Sequence, residues 1–238
     1  MPAQASALPC AGNCTSLFDG QAGVHSQDTF GVRGTIAIPV AQPALCTGTV
    51  TFSDEWTMVT GYKRYATHNR KNATWAQIGY GRDILTDGLA PGPDRLLSFA
   101  QFTLACKPDC SDKEVRTNVF PAPSLGSSVT YSNYQRSADG KIHMYANNVH
   151  YLKTGYTAQS TWDPAWAAQF FNETYDQNDD VWGTSPDRSD FFRLQRYLSN
   201  GGIDFISVLS AGNDNPTRWH QQSYNPGVGG LGFKNWND

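Results

Sequence analysis

TFGVRGTIAIP, from Thr29 to Pro39, alternates along its length and places Phe30, Val32, Gly34, Ile36 and Ile38 on one side. A period of two with one apolar side is the pattern of a strand half-buried against a core. Outward from it, Thr47–Gly61 continues the alternation. Further β-type runs follow at 73–82, 95–104, 127–136, 141–146, 149–156, 167–175, 191–197 and 203–209. Turn clusters such as Leu89–Asp94, Ala138–Gly140 and Asn147-Asn148 divide them. The one helical turn expected starts at Asp163-Pro164, a cap followed by a first-turn proline. About ten short strands with little helix predict an all-β fold, an antiparallel β-sandwich of the jelly-roll, concanavalin-like kind. No repeat and no linker interrupts the chain. Residues 1–27 read as an N-terminal arm held by Cys10 and Cys14, and 28–238 as a single β-sandwich domain, with a Gly-rich tail from Pro226 that is extended or loosely packed.

The 238 residues carry a net charge of −3 and no block of like charges, so the electrostatic footprint of a nucleic-acid binder is missing. No run approaches the roughly 18 apolar residues of a membrane span. A charged fraction of 16% beside 13% aromatics suits a β-rich extracellular protein. The N-terminus lacks a signal peptide's basic and apolar regions, and a signal already removed is the preferred reading, which makes the protein secreted. Cys10 and Cys14, and Cys106 and Cys110, form two CxxxC pairs, wider than the CxxC spacing of structural zinc sites. They read as two short disulfide loops or as cross-links between the pairs, with Cys46 left over as a buried thiol. Asn13, Asn72 and Asn172 head glycosylation tripeptides.

Acidic residues number 21, of which only Glu55, Glu114 and Glu173 are glutamates. Glu173 closes the run AWAAQFFNETY, where partial desolvation raises a carboxyl toward the range useful in acid/base work. Alternation puts Gln169, Phe171, Glu173 and Tyr175 on one face of their strand. In ATWAQIGYGR it sets Trp75, Gln77, Gly79 and Gly81 apart from the more apolar Ala76, Ile78 and Tyr80, which should face the core. A Gln and a Glu projecting into one groove form a minimal hydrolytic device: the carboxylate deprotonates water, and the amide positions it and bonds the oxyanion.

The order GVRGTIAIP, FSDEWTMV, WAQIGYGRD, a CxxxC loop and QFFNETYD resembles the neprosin-type glutamic peptidases and their bacterial relatives, which are β-sandwiches. Glu173 falls at the second catalytic Glu of that pattern, and Gln77 stands in place of the first. The eqolisin-type glutamic peptidases are similar in pairing a Gln with a Glu. The resemblance implies Glu173 as general base and acid, Gln77 as oxyanion and water partner, and Trp75, Gln169, Tyr175 and Trp182 as substrate-binding residues along a concave groove. It implies cleavage of extended peptides. The alternative of another class is a non-catalytic, lectin-like module of the same fold whose ligand is a polysaccharide or peptide, with tryptophan faces as stacking platforms.

Other chemistries have less support. No GxSxG elbow occurs. His143 and His150 flank the Asn147-Asn148 turn on one face, with His143 opposite Leu152, and read as surface histidines rather than a metal site. Asp176, Asp179 and Asp180 lack the spacing of a calcium loop and read as solvated. Retaining glycoside hydrolysis needs two carboxyls about 5 Å apart; Glu173 with Asp176 is the pair a sandwich of this type could offer, but no ExDxxE-like strand occurs. No metal and no cofactor is expected.

Overall fold

The alternating runs become strands in the computed structural model, which describes residues 17–23, 29–46, 51–61, 74–84, 95–103, 115–155, 157, 166–207, 209–225, 227 and 230–237. In chain order the strands are β1 (Leu17–Gly23), β2 (Gly31–Ala37), β3 (Thr51–Gly61), β4 (Thr74–Ile84), β5 (Arg95–Thr103), β6 (Val115–Pro121), β7 (Ser128–Gln135) and β8 (Ile142–Ala146). They continue as β9 (Val149–Lys153), β10 (Trp166–Thr174), β11 (Gly183–Thr184), β12 (Asp187–Tyr197), β13 (Ile203–Phe205), β14 (Leu209–Asn213), β15 (Trp219–Tyr224) and β16 (Gly232–Asn237). No helix occurs among the described residues.

Two sheets result, as the alternation predicts for an antiparallel β-sandwich. One has seven strands in the order β14-β1-β10-β3-β4-β5-β6; the other has nine, β15-β16-β11-β12-β2-β7-β8-β9 with β13 beside β12. The short β11–β16 contact is parallel. The core lies between the sheets. Val32, Ile36, Tyr131 and Phe191 enter it from the nine-stranded sheet, and Val59, Ile78, Tyr80 and Phe170 from the seven-stranded one. Each such side chain contributes roughly 1.5–3 kcal/mol on full burial. At Gly34 the sheets approach so closely that an added Cβ would stand 2.8 Å from the Phe170 ring. Asn133 ties them further: its Nδ2 donates to the carbonyls of Thr57 (2.8 Å) and Ala76 (3.0 Å).

Several expectations change. Residues 17–23, read as part of the arm, form β1 between β14 and β10. The tail is no loose extension. Gly232–Asn237 is a strand, and Phe233 stacks on Phe191 in the core with ring centroids 4.6 Å apart. Cys46 is not a thiol but disulfide-bonded. Its partner lies outside the described residues. Asn172 is fully buried on the core side of β10, where no glycan could attach; Asn13, Asn72, the Asp163-Pro164 turn and both CxxxC pairs lie outside the described residues.

The aspartate loop after β10 is not solvated. Asp176, Asp179 and Asp180 are all buried. Asp179 accepts from the backbone N–H of Cys46 (2.8 Å) and of Asp176 (3.0 Å) and from the Thr51 hydroxyl. Asp180 accepts from Arg218 at 2.6 Å and from Ala44 N–H at 3.2 Å. These carboxylates act as a bracket joining the segment after β2, the β10–β11 loop and the turn before β15. Burial pushes Asp179 up to about 6 even against its hydrogen bonds.

Candidate functional site

Pairing register converts the alternation of single strands into rows across the outer face of the seven-stranded sheet. Glu173 on β10 lies opposite Asp54 on β3, and Asp54 opposite Gly81 on β4. Two residues along, Phe171, Trp56, Gly79 and Phe99 form the next row. Beyond it come Gln169, Met58, Gln77 and Gln101. Rows so related stand about 7 Å apart along the strands. At the other end Tyr175 follows β10, its ring 5.5 Å from that of Phe52. A carboxyl pair is therefore flanked by an aromatic pair on each side, with an amide row behind one of them.

Small residues make this packing possible. A Cβ at Gly81 would collide with the Asp54 carboxylate, and one at Gly79 with the β3 backbone beside Trp56. Trp56 tilts against Phe171 at 5.4 Å, and its Nε1–H donates to Glu173 Oε2 at 3.0 Å, which fixes that carboxylate. Burial lifts the Asp54 carboxyl well above the ordinary carboxylate range, and the neighbouring Glu173 and Asp83 add to the lift. Asp83 is itself held by Arg95, whose Nε donates at 3.1 Å. The arrangement is two adjacent carboxyls, one favouring its protonated form, beside a held partner.

The expected residues fall into three groups. Gln77, Trp75, Gln169, Glu173 and Tyr175 do share the face that alternation assigned them. Gln77 and Glu173 are nevertheless not partners. They sit two strands and four register positions apart, or about 16 Å. Gln77 Nε2 instead donates to Gln101 Oε1 at 3.0 Å. Gln77 and Gln169 are each only 7% exposed, so the amide row floors the face rather than lining an open groove. Trp75, Phe171, Glu173, Asp54, Phe52 and Tyr175 are half-buried and reach solvent. Trp182 is elsewhere. It is 0% exposed in the core, edge-on to Tyr80 and donating from Nε1 to the Ser53 carbonyl, and cannot touch a substrate. The sequence reading missed Asp54, because only strand pairing reveals that it stands opposite Glu173.

No family model matches the chain, and no curated protein does. Solved structures with a similar course of chain include a family 16 glycoside hydrolase of Bacteroides ovatus, from a mixed-linkage glucan locus and bound to its product (13% identity, 69% of each chain covered, TM-score 0.40). A laminarinase of Flavobacterium sp. UMI-01 matches over 67% of each chain at 11% identity and a TM-score of 0.37. A kappa-carrageenase of Pseudoalteromonas carrageenovora covers 93% of this chain and 80% of its own at 8% identity and a TM-score of 0.32. At these values no residue of this chain is matched to one of theirs.

The kinship to glutamic peptidases is corrected by these findings. No family model matches the chain, and the Gln–Glu dyad on which the resemblance turned is not assembled.

Proposed function

We propose that this chain is a carbohydrate-active β-sandwich that binds an extended polysaccharide on the outer face of its seven-stranded sheet. The observation that carries the reading is the Glu173–Asp54 pair set between the half-buried ring of Phe171 on one side and those of Tyr175 and Phe52 on the other, with the buried Trp56 packed on Phe171 and hydrogen-bonded to Glu173. Sugar rings offer apolar C–H faces to aromatic surfaces and hydroxyls to carboxylates, and this face alternates those two surfaces along the strands. A peptide strand would instead add to a free sheet edge. Here β10, β3 and β4 are paired on both sides, so the face offers side chains and no backbone ladder. The carboxylates disfavour an anionic polysaccharide, so the ligand is a neutral one. The Cys46 disulfide supports a secreted, extracellular setting.

The test is affinity electrophoresis through gels carrying mixed-linkage β-glucan or kappa-carrageenan. The neutral glucan should retard the protein, and Phe171→Ala and Trp75→Ala should each weaken the retardation by about tenfold or more. Equal retardation of both variants and the unaltered chain would remove the face from the account.

The raised Asp54 carboxyl favours a second reading, retaining glycoside hydrolysis. Directly opposed residues of antiparallel strands have Cβ atoms about 4.5–5.5 Å apart, compatible with the carboxyl separation of about 5–5.5 Å of retaining enzymes. Asp54 would give its proton to the glycosidic oxygen as that bond breaks, while Glu173 bonds to the anomeric carbon. Water then attacks that carbon, passing a proton back to Asp54 and releasing Glu173. Reducing ends should appear from the glucan with the unaltered chain and not with Glu173→Gln. Turnover surviving in Glu173→Gln would exclude this mechanism.

A further inference from the structure

The geometry points to a binding site for a late first-row divalent metal ion, Cu(II), Ni(II) or Zn(II), held by His143 and His150 on the β8–β9 hairpin. It lies on the nine-stranded sheet and is independent of the carbohydrate reading. The local sequence builds it. Asn147 and Asn148 both adopt the left-handed region, with φ of 47° and 66°, as the tightest hairpin turn requires. Tyr145 then pairs with His150, and an irregularity between Met144 and Tyr145 shifts the register so that His143 pairs with Lys153. This differs from the simple hairpin expected from sequence, which set His143 against Leu152. Bulges of this kind re-aim side chains, and here both imidazoles stay on one face.

His143 Nδ1 and His150 Nε2 stand 3.1 Å apart. The other nitrogen of His143, Nε2, faces both oxygens of Asp139 at 3.1 and 3.0 Å. A carboxylate there keeps the proton on Nε2 and leaves the Nδ1 lone pair directed at His150. A histidine whose far nitrogen is held by a carboxylate is the usual arrangement behind a metal ligand. Two metal–nitrogen bonds of about 2.0–2.1 Å, opened by roughly 90–110°, put their nitrogens ~2.9–3.4 Å apart, a range that contains the observed spacing. Imidazole donors select copper, nickel and zinc over magnesium or calcium.

The surroundings define an open site. His143 is only 5% exposed, so its ring is fixed, whereas His150 is exposed and adjustable. Tyr145 packs edge-on against His150 at 5.1 Å and walls one side. Lys153 Nζ lies 3.6 Å from Asp139 Oδ2 and shares that carboxylate with His143. No group of three His, Cys, Asp or Glu side chains converges among the described residues, so the protein supplies two ligands and leaves the other positions to water or a bound molecule.

The competing account is a plain imidazole–imidazole hydrogen bond with no affinity for metal. Titration calorimetry of the full chain, purified without a polyhistidine tag and stripped with chelator, separates the two, using Cu(II) and Zn(II) alone as probes. One saturable equivalent is expected, with a Cu(II) electron paramagnetic resonance signal split by two nitrogens. His150→Ala should weaken binding at least tenfold and reduce the splitting. Asp139→Asn should cost about 10–100-fold while both histidines remain. His220→Ala should change neither. His150 is exposed, so its variant folds, and a thermal melt confirms this. No saturable binding by the unaltered chain, or affinity and splitting unchanged in His150→Ala, would overturn the site.

Discussion

Asp179 shows how much one side chain decides. Its carboxyl accepts three hydrogen bonds at no solvent exposure, and burial still lifts it to about 6. In the unfolded chain it titrates near 3.9. The native state therefore binds this proton more tightly, so the group's contribution to stability is complete below about pH 4 and is lost as pH rises through about 6. Over that window the stability of the unaltered chain relative to Asp179→Asn should fall by about 2–3 kcal/mol. Urea midpoints at pH 4 and pH 7 check it; parallel shifts in the two proteins would contradict it. Residue-level reading was good where it was local. The face on which Trp75, Gln77, Glu173 and Tyr175 lie follows from the two-residue period of their own strands. The row each occupies does not. Gln77 and Glu173 are joined only through β3, whose pairing no local pattern encodes, and so a shared face was read as a dyad. Trp182 lies just before β11, where no alternation was available to show that it points inward.

At the scale of elements, β16 is the clearest departure. PGVGGLGFKNWN has the glycine content of a loop, yet Gly232 is where the chain needs to be thin: an added Cβ would stand 2.8 Å from the Phe191 carbonyl oxygen and from the Tyr224 ring. That close approach lets Phe233 reach Phe191. Phe233→Ala should cost about 3–5 kcal/mol of unfolding free energy, as for other buried phenylalanines. A loss below about 1 kcal/mol in denaturant titration would return the tail to a loose extension. Strand content was legible because β2 to β5, β7 to β10 and β12 carry alternation strong enough to read alone. The strands that escaped, β1, β6, β11, β14, β15 and β16, are short or glycine-rich, or take their burial from neighbours rather than from their own pattern.

In the whole molecule, the seven-stranded sheet carries buried apolar side chains on both faces. Its inner face meets the nine-stranded sheet, and its outer face holds a second apolar cluster of Trp56, Met58, Leu97 and Phe99. That cluster underlies the carboxyl pair, so the site is built on a rigid floor. The Cys46 disulfide adds a covalent constraint near the Asp179 bracket. Reduction should lower unfolding stability by about 2–5 kcal/mol, readable as a fall in Tm on adding dithiothreitol; an unchanged Tm would show that the bond carries no load. The fold class was legible because a sandwich repeats one signal many times. The site was half legible, because its carboxyl pair is a property of two strands far apart in the chain. In the proposed polysaccharide face, Phe171, Trp75 and the Asp54–Glu173 pair act together. Retardation in a mixed-linkage β-glucan gel, compared between the unaltered chain and Phe171→Ala, tests it most directly. Retardation that the substitution weakens by about tenfold is expected; mobility unaffected by the glucan, or retardation equal in both proteins, would rule out a polysaccharide face here.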